Sequence, residues 1–176
     1  PSGGRPKLLR ANRVSYSYGS HPVLQEVDVQ IPTGGLIGIL GQNGSGKTTL
    51  LKLLAGLLKP SDGLVTLDDI DLARFNRSKL ARRLAVVPQE TEISFDYTVL
   101  ELALMGRYPH LNPFELEGPT DFKIARQMLA ATGTAHLEQR VYRTLSGGEK
   151  QRVVIASALT QFIATPTGQN TGLTQV

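Results

Sequence analysis

Apolar positions in this chain change period several times, and each change marks an element. Val14-Ser-Tyr16-Ser-Tyr18 and Val27-Asp-Val29-Gln-Ile31 alternate apolar or aromatic residues with polar ones, the period of a half-buried strand. They predict strands over 8–18 and 23–31, joined by the turn Gly19-Ser-His-Pro22. Pro32-Thr-Gly34-Gly35 then turns the chain into a short continuous apolar run, Leu36-Ile-Gly-Ile-Leu40, which reads as a buried strand. From Lys47 the spacing becomes helical, with Leu50, Leu51, Leu53, Leu54 and Leu57 apolar up to a stop at Lys59-Pro60. Leu64–Leu67 and Leu84–Val87 are two further short strand candidates. Beyond them helices take over. Thr98 is placed to cap a helix over 99–105 with Glu101 at its third position, the arrangement of a capping box. A loop holding Pro109, Pro113 and Pro119 leads into a helix over about 121–132, ended by Gly133. A last helical pattern runs over 150–161, with Val153, Val154, Ala156, Ala158 and Leu159 apolar. There is no internal repeat.

Composition changes this picture little. A chain of 176 residues with 40% hydrophobic content can bury the core of one ordinary domain. It has no cysteine, which excludes disulfides and thiolate metal sites and suits a reducing compartment. No apolar run approaches the roughly 18 residues that a membrane-spanning helix needs, and no secretory signal opens the sequence. The formal net charge is +4 and the pI about 9.5, a balance compatible with nucleic acid or an anionic membrane surface. The densest basic cluster is Arg74, Arg77, Lys79, Arg82 and Arg83. Leu72, Phe75, Leu80 and Leu84 interrupt it at near-helical intervals, so it reads as a solvated helix face.

The stretch between the apolar run at 36–40 and the helix that follows carries the chemistry. It reads Gly41-Gln42-Asn43-Gly44-Ser45-Gly46-Lys47-Thr48-Thr49. Strand, glycine loop and helix in that order are the context of a P-loop. Its glycines let the backbone turn sharply and come close to a ligand. Backbone N–H groups around Asn43–Thr48 would converge at the positive end of the helix and hold phosphate oxygens. Lys47 would reach the β- and γ-phosphates, and the Thr48 hydroxyl would ligate Mg²⁺. The plain alternative is a glycine-rich turn that binds nothing, but it leaves four fixed residue types at fixed spacing unexplained.

Four motifs in order make the chain resemble the nucleotide-binding subunits of ABC transporters. Tyr18, in Ser-Tyr-Gly ahead of the P-loop, resembles the aromatic residue that stacks on adenine, with Tyr16 as the neighbouring candidate. The P-loop has Gln42 where proline is more usual in the family. Gln89, in Val-Val-Pro-Gln, resembles the glutamine that senses Mg²⁺ and the attacking water. Leu145-Ser-Gly-Gly-Glu-Lys-Gln-Arg152 resembles the family signature, in which Ser146, Gly147 and Gly148 open a helix toward a γ-phosphate. Phe95-Asp-Tyr-Thr-Val-Leu-Glu-Leu and Met105-Gly-Arg-Tyr-Pro-His110 narrow the resemblance to ATPases importing iron–siderophore complexes, haem or cobalamin.

The resemblance implies an α/β fold. It would combine a P-loop NTPase core, a mixed sheet with an antiparallel part, and an ABC-type helical subdomain. The corresponding expectation for the chain is a nucleotide-binding core over 1–90, a helical subdomain with the signature over 91–161, and an atypical tail over 162–176. ATP and Mg²⁺ are the implied cofactors. Lys47 and Gln89 are the implied catalytic residues, Thr48 and Gln89 the metal contacts, and Tyr18, Gly41–Thr49 and Ser146–Gly148 the nucleotide contacts. Partners would be a membrane permease and a second, head-to-tail copy of the subunit, on the cytoplasmic face of the membrane and without nucleic acid.

The resemblance stops near Gln161. Family members continue with an apolar strand ending in aspartate and glutamate and later supply a histidine, whereas this chain has no Asp or Glu after Glu149 and no His after His136. The expectation is therefore a core incomplete at its C-terminal end, with the P-loop strand lacking a neighbour. A chain without the carboxylate that positions the attacking water should bind ATP and hydrolyse it poorly, since losing such a base costs about 10²–10⁴-fold. Two other functions stay open. One is a soluble ABC-type ATPase acting on nucleic acid or ribosomes, which the net charge allows and a salt-dependent affinity would reveal. The other is a non-catalytic module in which ATP only drives association.

Overall fold

The computed structural model describes residues 8–88 and 95–164. The chain divides into two compact units, Pro1–Asn76 and Arg77–Val176.

In the first unit, two long strands, β1 (Leu8–Tyr18) and β2 (His21–Pro32), form an antiparallel hairpin, as their alternating pattern predicts. On the other side β1 pairs antiparallel with β3 (Asp62–Leu67), and β3 with the two-residue β4 (Ile70–Asp71), giving the order β2-β1-β3-β4. Register shifts around Val14 break the β1–β2 ladder. Side chains take up the backbone donors freed there: the Arg13 N–H donates to Asp28 Oδ1 at 2.9 Å and the Glu26 N–H to Ser15 Oγ at 3.0 Å. The first helix, α1 (Lys47–Leu54), packs against β1 and β2. Leu50, Leu53 and Leu54 are buried there with Ala11, Val14 and Leu24.

The structure corrects two sequence expectations in this unit. The helix ends four residues short of Leu58. Gly56 adopts a left-handed φ of 69°, and the Leu57 N–H returns to the Lys52 carbonyl at 2.8 Å while the Gly56 N–H returns to that of Leu53 at 3.0 Å. That pair of bonds is a Schellman cap, which a glycine makes without steric cost. Gly56, not Pro60, stops the helix. The second correction concerns Leu36–Leu40, which is irregular rather than a strand, with Leu36 and Leu40 almost fully exposed. An apolar run becomes a strand only through ladder bonds to neighbours, and among the described residues no strand pairs with it. Leu84–Val87, in the second unit, is irregular for the same reason, with Val86 and Val87 exposed.

The second unit is helical. After a short α2 (Arg77–Ala81) come α3 (Val99–Met105), α4 (Pro119–Ala131) and α5 (Gly147–Phe162). The capping box of α3 forms as its sequence predicts, with the Thr98 N–H donating to Glu101 Oε2 at 2.7 Å and the Glu101 N–H to Thr98 Oγ1 at 3.3 Å. The Thr98 N–H, and then the Thr98 hydroxyl donating to the same Oε2 at 2.8 Å, hold the Glu101 carboxyl below its ordinary range. α4 starts two residues earlier than the apolar pattern indicates because Pro119 occupies its first position, where a missing N–H costs nothing. Val99, Ala103, Ala125, Leu129, Val153 and Ala156 from these three helices form the core. The Ser146 end of α5 is thus carried on a packed three-helix body.

Candidate functional site

The glycine loop runs irregularly from Gly41 and opens directly into α1 at Lys47. Gly44 and Gly46 take φ values of 81° and 86°, a region that residues with a Cβ adopt only at a cost. At Gly46 the need is also steric, since a Cβ there would lie 2.8 Å from Leu24 Cδ2 and 3.2 Å from the Val23 carbonyl. The loop is therefore seated on β2 with no room for a side chain. Within it the Ser45 N–H donates to the Gln42 carbonyl at 3.2 Å. The Lys47 ammonium folds back over the loop, donating to the carbonyls of Gly41 at 2.9 Å and Gln42 at 2.6 Å. Gly41, Gln42, Asn43, Gly44 and Ser45 are exposed, as is Thr48, while Thr49 is buried beneath the helix start. The arrangement is an exposed glycine loop with one cation folded over it at the N-terminus of a helix, and helix N-termini favour anions.

Tyr18 ends β1 in the same unit, 48% exposed. Its ring meets that of Tyr16 edge to face, with centroids 5.0 Å apart. A half-exposed ring braced by a second ring is a usable stacking platform. Gln89 lies outside the described residues, as do residues 165–176 of the expected tail.

In the helical unit, Leu145 is buried and Ser146, Gly147 and Gly148 are exposed at the start of α5. Glu149 folds back on the cap, accepting from the Ser146 hydroxyl at 2.7 Å and the Ser146 N–H at 2.8 Å. These two bonds, the hydroxyl's first, keep its carboxyl below the ordinary range. The amides of Gly147 and Gly148 thus face solvent at the positive end of a 16-residue helix.

The sequence reading missed a polar cluster at the other end of α5. Arg107 is completely buried. Its Nε donates to Asp121 Oδ1 at 2.8 Å and its guanidinium donates to the carbonyls of Thr160 and Ile163. His110 donates from Nε2 to the Gln161 carbonyl at 2.8 Å. Asp121 also receives the Gly118 N–H at 3.0 Å. An acid at the third position of a helix is a pattern legible in sequence, and Asp121 has it. Its distant partner Arg107 left no local signal.

Burial first, and then the cations of Arg107 and Arg82, push the His110 imidazole below its ordinary value, against the opposing pull of the Gln161 carbonyl and of Asp121. A histidine depressed in the folded state binds fewer protons than when unfolded. Its contribution to stability is complete above about pH 6.5 and is lost as pH falls through the lower folded value. Urea unfolding should show stability declining as pH drops from 7 through this window. The decline should flatten in His110→Gln, and an unchanged slope in that variant would remove His110 as its source. Glu101 and Glu149 titrate lower and leave this window clear.

A family model described as ABC transporter matches residues 24–162. The chain belongs to the ABC transporter family. It is similar to the hemin import ATP-binding protein HmuV of Bordetella bronchiseptica, 44% identical over 153 residues that cover 87% of this chain and 57% of that protein. It is also similar to the cobalamin import ATP-binding protein BtuD of Halobacterium salinarum, 40% identical over 139 residues, which are 79% of this chain and 34% of that protein. Among solved structures, a nucleotide-free ATP-binding cassette from an ABC transporter superposes with a TM-score of 0.76 at 27% identity, covering 88% of this chain and 65% of that one. The fold is thus that of the ABC ATPase domains, a P-loop α/β fold with an antiparallel sheet. This ABC-family chain spans about 57% of the length of the HmuV relatives it matches. Among its described residues no helix is long and apolar enough to cross a membrane.

Proposed function

We propose that the chain is the ATP-binding part of an import subunit, coupling nucleotide binding to passage of an iron-chelate, haem or cobalamin type cargo through a membrane permease. Gly41–Thr48 would hold the phosphates, Lys47 their β/γ end and Thr48 the Mg²⁺, with Tyr18 against the adenine and Gln89 sensing the metal and the attacking water. Ser146, Gly147 and Gly148 would meet the γ-phosphate of ATP on a second, head-to-tail copy. The observation that carries this reading is the close seating of the glycine loop on β2, where a Cβ at Gly46 would collide with Leu24 and Val23, with the Lys47 ammonium folded over the loop. ATP contributes the phosphoryl group to be transferred, and Mg²⁺ its charge neutralisation. The names of the hemin and cobalamin import relatives support the cargo class, and the subunit would work on the cytoplasmic side of the membrane. Within these 176 residues no acid follows Glu149, so turnover by this stretch alone should be slow.

Sedimentation velocity tests the reading. MgATP, and not MgADP, should shift the chain from monomer to dimer. Ser146→Arg should abolish that shift while leaving nucleotide binding intact. Association indifferent to Ser146→Arg would count against the head-to-tail arrangement. A steeply salt-dependent affinity for RNA would favour the nucleic-acid alternative instead.

A further inference from the structure

The polar cluster at the end of α5 does more than cap a helix. Gln161 sends its side-chain amide across to the carbonyls of Ala81 and of Leu84, the latter at 3.0 Å. Ala81 ends α2 and Leu84 lies in the irregular chain after it, so the amide takes up one carbonyl at the helix end and one beyond it. The same residue's main-chain carbonyl receives His110 Nε2. Arg82 completes the ring, its Nε donating to the Pro109 carbonyl at 2.7 Å. Three segments, 81–84, 107–110 and 160–163, are therefore fastened to one another by side chain to main chain bonds. Among the described residues, Gln161 is the member whose side chain bonds the first of these to the third. Leu84 is followed by Ala85-Val86-Val87-Pro88, irregular chain that no ladder holds and that runs in sequence into Gln89.

We propose that Gln161 is a positioning residue for the nucleotide response. By holding the Ala81 and Leu84 carbonyls it ties the stretch entering Gln89 to the far end of the helix that opens at Ser146. α5 is a rod about 24 Å long, so engagement of a phosphate at its first turn is transmitted to residues 82–87 through the amide at its last. The inference rests on the ATP-driven association proposed above.

Amide hydrogen exchange on the full chain, at a concentration where MgATP drives association, tests it. MgATP should slow exchange over 82–87 about fivefold relative to MgADP, the factor one ordinary hydrogen bond is worth. Gln161→Ala removes both donors, and Gln161→Glu keeps the shape but aims an acceptor at two carbonyls. In both, the ATP–ADP difference should vanish while nucleotide protection of 41–49 persists. Gln161→Lys supplies donors again and should restore most of the difference. A merely structural Gln161 would shift exchange equally in both nucleotide states. Persistence of the difference in Gln161→Ala, or failure of Gln161→Lys to restore it, overturns the proposal. So does association without any response at 82–87, which leaves the ATP reading standing. Absence of nucleotide protection at 41–49 removes that reading and the proposal with it.

Discussion

Lys47→Ala should weaken binding of MgATP by about 10- to 150-fold, with little change in the stability of the fold. The ammonium is held over the loop by the Gly41 and Gln42 carbonyls, which are neutral acceptors that a phosphate outcompetes. A hydrogen bond to a charged partner contributes about 1.5–3 kcal/mol, and this sets the factor. Because Lys47 opens α1 with its ammonium bonded only to loop carbonyls among the described residues, unfolding by urea should move by no more than about 0.5 kcal/mol. Lys47→Arg should recover only part of the affinity. A planar fork cannot take up the position of a compact ammonium curled over the loop. Titration of a fluorescent ATP analogue, with and without Mg²⁺, reads all three proteins. Equal affinity in K47A would mean that the loop does not bind the β/γ end of a nucleotide.

The parts of this molecule legible in sequence are those fixed by local chemistry. Alternation over Val14–Tyr18 and Val27–Ile31 gave the hairpin, and Thr98 with Glu101 gave a helix start correct to the residue. The P-loop and the Ser146 cap are likewise short-range patterns, and the structure places each at a helix N-terminus. What misled was apolarity taken without its partners. Leu36–Leu40 and Leu84–Val87 have the composition of buried strands, yet a strand is a property of its neighbours, and none pairs with them among the described residues. Leu57 has helical spacing, but the backbone freedom of Gly56 overrode it. The clamp of Arg107, His110, Asp121 and Gln161 was invisible for a related reason. Its bonds join residues up to 80 positions apart, and no local period announces such a contact.

The largest effect on stability should come from Arg107→Met, which is expected to cost about 3–5 kcal/mol. The Arg107 side chain is fully buried and that of Asp121 nearly so. Removing the guanidinium strands a carboxylate that keeps the Gly118 N–H but has lost its counter-charge. It also frees the buried Thr160 carbonyl and the more exposed Ile163 carbonyl, and an unsatisfied buried acceptor costs about 1–3 kcal/mol. A typical domain has only about 5–15 kcal/mol in hand, so the variant should unfold at much lower urea. Asp121→Asn keeps a hydrogen-bonding group opposite the guanidinium and should cost less. The double variant Arg107→Met, Asp121→Leu removes the stranded charge and should recover about half of the loss, the rest being the carbonyls that still lack a donor. This pattern of a severe single, a milder neighbour and a partly restored double separates a buried ion pair from simple packing loss. In packing loss the two single costs would add. An Arg107→Met cost below about 1 kcal/mol would mean that the α3, α4 and α5 body is held by its apolar core alone, and that the far end of the Ser146 helix is not anchored by charge.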